Sequence, residues 1–413
     1  MNVPLPLSTR RSIALLFTTR AVRLFAYGLL SVVLVLYLVQ IGLNEREVGL
    51  LLSVTLAGDA LVSLWLTTNA DRVGRKRMLM MGASLMIFAG VIFLFTHNIV
   101  LLIAAAIIGV ISPSGNEIGP FLPIEQAALS QLLPDKQRTQ TFAWYNLAGS
   151  VATAFGALIS GWLTQFLQAR GMPALEAYRM VLTIYAASGI VLVVLFALLE
   201  PIIEATPVVS ESTHRFGLSP ASRGVIVRLS TLFALDAFAG GLVLQSLIAY
   251  WFNLKFGVQP GLIGAIFFGA NILAGLSALS AARIARRFGL INTMVFTHLP
   301  SNILLMLVPL MPTLPLAITV LLLRFSISQM DVPTRQSYTA AVVKPEERSA
   351  AAGITGIARS AGVSIAPLLT GLFLSNPMLL SVPFFLGGGL KVIYDLLLYR
   401  SFKATRPPEE AKP

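Results

Sequence analysis

Asp71-Arg72-Val73-Gly74-Arg75-Lys76-Arg77 places five charged side chains in seven residues between two long apolar runs, 48 to 68 and 77 to 96. A helix crossing hydrocarbon needs about 20 mostly apolar residues, and each flanking run is long enough. The charged turn cannot lie inside the bilayer, so it ends one membrane helix and begins the next. About a dozen such runs recur, near 13–40, 48–68, 77–96, 99–123, 141–166, 177–199, 225–252, 261–282, 290–310, 315–338, 350–373 and 378–399. With 56% hydrophobic residues, 12% charged residues and a mean hydropathy of +0.81 over 413 positions, the chain lacks the polar surface to cover a soluble globule. The first run is too long for a signal-peptide core and reads as a retained helix.

A net charge of +12 raises the question of nucleic acid, but the placement of the charge answers it. With the N-terminus taken as cytoplasmic, nineteen of the thirty Lys and Arg fall on the cytoplasmic side, among them Arg10, Arg11, Arg283, Arg286, Arg287, Arg400 and Lys403. Only Arg46, Arg170, Arg179 and Lys255 fall outside. This positive-inside bias predicts a multi-pass protein of a bacterial inner membrane with both termini cytoplasmic, and the protein is expected to act as a monomer. No basic stripe with interleaved aromatics marks a soluble segment, which excludes a nucleic-acid partner.

Residues 200–224 form the one long polar stretch between apolar runs, so the chain divides into a six-helix block at 1–199, a cytoplasmic linker at 200–224 and a second six-helix block at 225–413. The blocks repeat each other. At an offset of 210, Pro123 matches Pro333, Gln126 matches Gln336, Arg138 matches Arg348 and Gly161 matches Gly371, and one gap brings Pro134 onto Pro345. In that register Ala148, Ala152, Gly156 and Ser160 form a row of small residues, answered by Ala358, Gly362, Ala366 and Thr370. Such rows let two helix backbones approach closely in lipid. A duplicated helical unit is the layout of an alternating-access carrier.

Twelve helices in two related halves, with the charged turn between the second and third, resemble the major facilitator superfamily. The family's loop motif runs glycine, three residues, acid, base, any residue, glycine, any residue and two bases. Thr67 stands here where the first glycine belongs, and a degenerate second copy occurs at Arg286-Arg287-Phe288-Gly289. The fifth helix also departs from drug antiporters of the family, because the stretch from Gly149 to Gly161 contains no proline. The resemblance implies an all-α membrane fold of two pseudo-symmetric six-helix bundles.

Ionisable groups at membrane depth are costly unless paired or hydrated, so each is a candidate site. Rise along the helix puts Arg23 and Asp59 at similar heights, where they could pair, and likewise Asp236 and Arg324. The family implies that the first, fourth, seventh and tenth helices line the central cavity, which makes Arg23, Glu117, Asp236 and Arg324 the first choices for substrate and coupling. The other reading keeps both pairs as structural ties between helices. Glu117, in the Pro- and Gly-bearing stretch Pro113 to Pro120 with Asn116 beside it, is the acid left over by this count and the first candidate for proton exchange. Tyr27, Gln245 and Asn271 are neutral candidates for substrate contact. Asp331, Lys391 and Asp395 read as structural charges. His97 and His298 read as isolated, and no metal site is expected.

At the cytoplasmic rim the resemblance implies a gate of Asp71, Arg72, Gly74 and Arg75, with the motif bases meeting Glu125 at the foot of the fourth helix. No phosphate-cradling loop and no nucleophile with a placed histidine occurs, so neither an enzyme nor an ATP-driven pump is expected. The sequence reads as a cofactor-free secondary carrier of a small organic solute, driven by the proton gradient with efflux favoured. Proton-coupled or facilitated uptake of an organic anion is the alternative. A membrane receptor or scaffold is the rival of another class.

Overall fold

A computed structural model describes residues 6–115, 119–133, 135–204, 219–344 and 347–403, and these are helical almost throughout. In chain order the helices are α1 (Leu7–Gln40), α2 (Glu45–Val73), α3 (Arg75–Phe95), α4 (Ile99–Ile108), α5 (Phe121–Leu132), α6 (Asp135–Ala169), α7 (Ala174–Ala197) and α8 (Pro220–Gly241). They continue as α9 (Gln245–Phe256), α10 (Pro260–Phe288), α11 (Leu290–Leu307), α12 (Leu314–Ile327), α13 (Asp331–Ala341), α14 (Arg348–Leu374) and α15 (Val382–Phe402). Among the described residues eleven stretches are long and apolar enough to cross a membrane, and the short apolar α4 opens a twelfth. Large apolar side chains such as Leu61, Trp65, Trp162 and Phe296 are exposed, as a lipid-solvated surface requires.

Three of the twelve spans are interrupted. The fourth is α4 and α5, the seventh α8 and α9, and the tenth α12 and α13. Between α4 and α5, Gly115 and Gly119 hold φ of 68° and 97°, in the left-handed region where a side chain would be strained. The backbone groups freed there find partners. The Thr153 hydroxyl donates to the Gly115 carbonyl at 3.2 Å, the Ser246 N–H to the Pro113 carbonyl at 3.2 Å, and the Tyr185 hydroxyl to the Val110 carbonyl. Non-helical backbone survives at membrane depth only when it is satisfied in this way. In the tenth span the Gln329 N–H goes to the Ser277 hydroxyl at 3.3 Å.

The chain divides into two compact units, Met1–Val208 with Gln245–Phe268, and Val209–Leu244 with Gly269–Pro413. This differs from a boundary at 225, because the turn at 242–244 lets α9 pack on α1. In the first unit the small-residue row of α6 lies on α1. A Cβ at Gly156 would fall on the Phe25 carbonyl, one at Gly28 on the Thr153 carbonyl, and Ser160 donates to the Leu29 carbonyl at 2.8 Å. In the second unit α14 lies on α8 in the same manner, with Gly362 against the Ala234 carbonyl and Thr370 donating to the Leu242 carbonyl at 2.9 Å. Of the expected linker, residues 201–203 form a 3-10 turn and 205–218 lie outside the described residues.

Candidate functional site

In the first unit Arg23 pairs with Glu125. Its two terminal nitrogens donate to the two carboxylate oxygens at 2.8 and 2.6 Å, and both side chains are fully buried. Thr19 donates to the same carboxylate at 3.1 Å, Tyr145 donates to its other oxygen, and the Phe121 ring lies 4.6 Å from the guanidinium carbon. A two-pronged pair with its remaining lone pairs occupied is the geometry that offsets the desolvation of two buried charges. Beside it Arg20 lies over the Tyr145 ring at 4.4 Å and donates to Asn146 at 3.1 Å.

Two expectations are corrected here. Arg23 does not pair with Asp59, whose carboxylate instead accepts from the Gly119 N–H at 3.0 Å, next to the N-terminus of α5. Nor does Glu125 stand at the cytoplasmic rim. The irregular stretch after α4 delays the second half of the fourth span, so Glu125 falls in the buried first part of α5. Asn116 and Glu117 lie outside the described residues. Tyr27 is fully buried, Asn271 is buried, and Gln245 donates to the Ser31 hydroxyl at 2.7 Å.

The rim turn is held by other groups. Arg75 pairs with Asp71 at 2.8 Å and donates to Gln131 at 2.9 Å and to the Ile203 carbonyl at 3.0 Å. Glu204 accepts the backbone N–H groups of Arg75 at 2.6 Å and Lys76 at 3.3 Å, capping α3 with a carboxylate. Gly74 supplies the turn with φ of 115°, and Arg72 is exposed. The acid that the Arg75 guanidinium meets is therefore Asp71, not Glu125, while Glu204 holds the backbone of the turn.

The second unit holds the largest cluster of buried charge. Asp236 on α8 receives Lys391 at 2.5 Å, Arg335 at 3.2 Å and Arg359 at 3.1 Å, and His298 Nε2 lies 3.9 Å from it. Arg335 also holds Asp331 at 2.9 Å. His298 Nδ1 is 2.9 Å from Asp395, which accepts from Asn302 at 2.9 Å as well. The expected pair Asp236 with Arg324 does not form, and the structural trio is divided, with Lys391 on Asp236, Asp331 on Arg335 and Asp395 on His298. Depth along a helix places charges at one height, but the face each presents decides which of them meet. His298 is not isolated. Arg335 and Arg359 escaped the sequence reading, although Arg335 stands 210 residues after Glu125 and so was marked by the repeat.

Three carboxylates in this cluster, Asp236, Asp331 and Asp395, face three fixed cations, Lys391, Arg335 and Arg359, with His298 set between Asp395 and Asp236. Histidine is the side chain whose ordinary pKa falls in the physiological range. Nδ1 lies within hydrogen-bond distance of Asp395, and Nε2 lies 3.9 Å from Asp236, beyond direct hydrogen-bond reach.

Arg324 is a different case. Among the described residues no hydrogen bond or ion pair satisfies it, its Nε is buried without an acceptor, and its nearest aromatic neighbour is the Phe325 ring at 4.9 Å. A central membrane arginine costs about 3 kcal/mol or more. A place in the last turn of α12 returns about 0.3–1 kcal/mol from the helix dipole, and an exposed cation–π contact about 0.5–1 kcal/mol. These two terms do not cover the cost, and the charge of Asp331 acts on it only from beyond salt-bridge distance.

A family model described as Major Facilitator Superfamily matches residues 16–330. An uncharacterised membrane protein of Saccharomyces cerevisiae, YJR124C, is 32% identical, with the match covering 94% of this chain and 93% of that protein. The quinolone resistance protein NorA of Staphylococcus aureus is 25% identical over 138 residues, a third of either chain. A crystal structure of a variant of the nucleoside transporter NupG shares the fold, with a TM-score of 0.73 and 15% identity, covering 94% of this chain and 99% of that one.

Proposed function

Because the chain belongs to the major facilitator superfamily, we propose that it is a secondary carrier that moves a small organic solute by alternating access, coupled to protons. The observation that carries the coupling is His298, set between Asp395 at 2.9 Å and Asp236 at 3.9 Å in a cluster whose other charges balance. A proton taken up there leaves one unbalanced positive charge in a low-dielectric setting. That state favours whichever arrangement of helices best accommodates it. Efflux by antiport is the favoured direction, supported by the partial likeness to a protein named for quinolone resistance. The positive-inside bias supports a cytoplasmic membrane with both termini on the cytoplasmic side. Glu117 is the second candidate for the exchanged proton.

The test is reconstitution in liposomes loaded with a pH-sensitive dye and supplied in turn with a quinolone, benzoate and glucose under an imposed pH gradient. At least one solute should produce a solute-dependent proton flux. His298→Gln should abolish that flux and leave solute exchange intact, while Glu117→Gln leaves both. Loss of coupling in Glu117→Gln alone would move the proton site to Glu117. Absence of any solute-dependent proton movement would refute coupling.

A further inference from the structure

Arg324 and Ser328 sit four residues apart on the last turn of α12 and its cap, so they share one face of the helix. Both are polar groups at depth, since Arg324 lies about 15 Å along the helix from Leu314. Both lack satisfaction among the described residues. The Arg324 Nε and the Ser328 Oγ are buried with no hydrogen-bond partner. The acid next along the chain, Asp331, is held by Arg335 at 2.9 Å and makes no hydrogen bond or salt bridge to Arg324, which feels only its more distant charge. Three other arginines at membrane depth differ in kind, and Arg20 is held by Asn146 and the Tyr145 ring. Arg23 is closed by Glu125, and Arg335 and Arg359 are closed by Asp236.

We propose that Arg324 and Ser328 bind the anionic group of the transported solute, which makes the substrate class a small organic anion. The chemistry is that of a guanidinium, which presents parallel N–H donors to a carboxylate, sulfonate or phosphate, with a hydroxyl one turn away as a further donor. The Phe325 ring beside the guanidinium gives an apolar surface for the organic part of such a solute. An arginine kept for packing would be closed by protein groups, as Arg23, Arg335 and Arg359 are by acids and Arg20 is by Asn146. An arginine kept for a ligand must be left open to it. The assignment deepens the carrier reading and rests on it.

The test is binding to the purified full-length protein in detergent, which needs neither transport nor a proton gradient. Thermal unfolding is followed with benzoate, glutarate and inorganic phosphate as anionic probes, and with tetraethylammonium and glucose as controls. At least one organic anion should raise the melting temperature of the parent. Arg324→Gln should weaken that anion by about 10- to 100-fold, Arg324→Lys by less, and Ser328→Ala by a few fold. Without ligand, Arg324→Gln should be as stable as the parent or more so, because it removes a charge at depth that no protein acid meets by hydrogen bond or salt bridge. The inference is overturned if only cations or neutral solutes stabilise the parent, if no anion does, if Arg324→Gln responds like the parent, or if Arg324→Gln unfolds without ligand. Anion binding with no proton flux would defeat the coupling reading alone, and proton flux without anion binding would defeat this one alone.

Discussion

Asp236 and Arg335 in the second unit, 3.2 Å apart, occupy the places that Arg23 and Glu125 occupy in the first, with the signs exchanged. Asp236 stands 213 residues after Arg23 and Arg335 stands 210 after Glu125. Each unit therefore ties the first helix of its half to the fourth through one buried ion pair. The first pair is closed, with both charges inside one bidentate contact. The second is open to further partners, and Lys391, Arg359 and His298 gather on the same aspartate. The repeat preserved the tie and gathered further charged partners on one copy.

The closed pair should behave as a structural tie. Glu125→Gln strands Arg23 in a fully buried site and should cost about 3–5 kcal/mol, read as loss of folded yield in detergent. The double variant Arg23→Gln with Glu125→Gln should recover much of that loss. A double variant no better than either single would show that the two residues act separately.

Asp236 should be less tolerant than Lys391. Asp236→Asn leaves three cations facing one another with one acceptor removed, whereas Lys391→Met leaves Asp236 with Arg335 and Arg359 still within 3.2 Å. Melting of the purified variants should place Asp236→Asn lower by about 2 kcal/mol or more. Equal stabilities would mean that the lysine contact dominates the cluster.

The rows of small residues make a steric prediction. Gly156→Ala puts a methyl group on the Phe25 carbonyl and should destabilise by about 1–3 kcal/mol despite the better helix propensity of alanine. Gly353, in α14 with open space around it, should gain about 0.5–1 kcal/mol from the same change. The contrast is measurable by thermal unfolding of the two variants side by side.

Glu347, outside the membrane spans, gives a pH prediction. Its carboxylate accepts from the Ser219 N–H at 2.6 Å and from the Ser222 hydroxyl, at the N-terminus of α8. The Ser222 hydrogen bond first, then those from Ser219, hold its pKa down from 4.5 to about 2. The folded value lies below the unfolded one, so this cap contributes fully above about 4.5 and is lost as pH falls toward about 2. Glu347→Gln should flatten the acid limb of the stability profile in that window and leave neutral pH little changed. An unaltered acid limb would show that the cap does not respond to acid.

The spans, the close packing of α6 and α14 against a neighbouring helix, and the presence of charge at depth were all legible in the sequence. Hydropathy is summed locally, and a row of small residues needs no knowledge of its partner to predict close approach. The partners of the charges were not legible. Arg23 and Asp59 share a height but not a face, and Glu125 was assigned to the rim because an unbroken fourth helix would have ended there. The interruption between α4 and α5 moved it inward to Arg23. Likewise His298 carries no sequence mark of its role, since Asp395 and Asp236 lie 97 and 62 residues away along the chain. The sequence by itself determined which segments must enter the membrane and how many charges go with them, because transfer to lipid depends on composition alone. Only the tertiary structure decided which charges cancel and which stay open, because that depends on the azimuth of each helix and on where its hydrogen-bond ladder breaks.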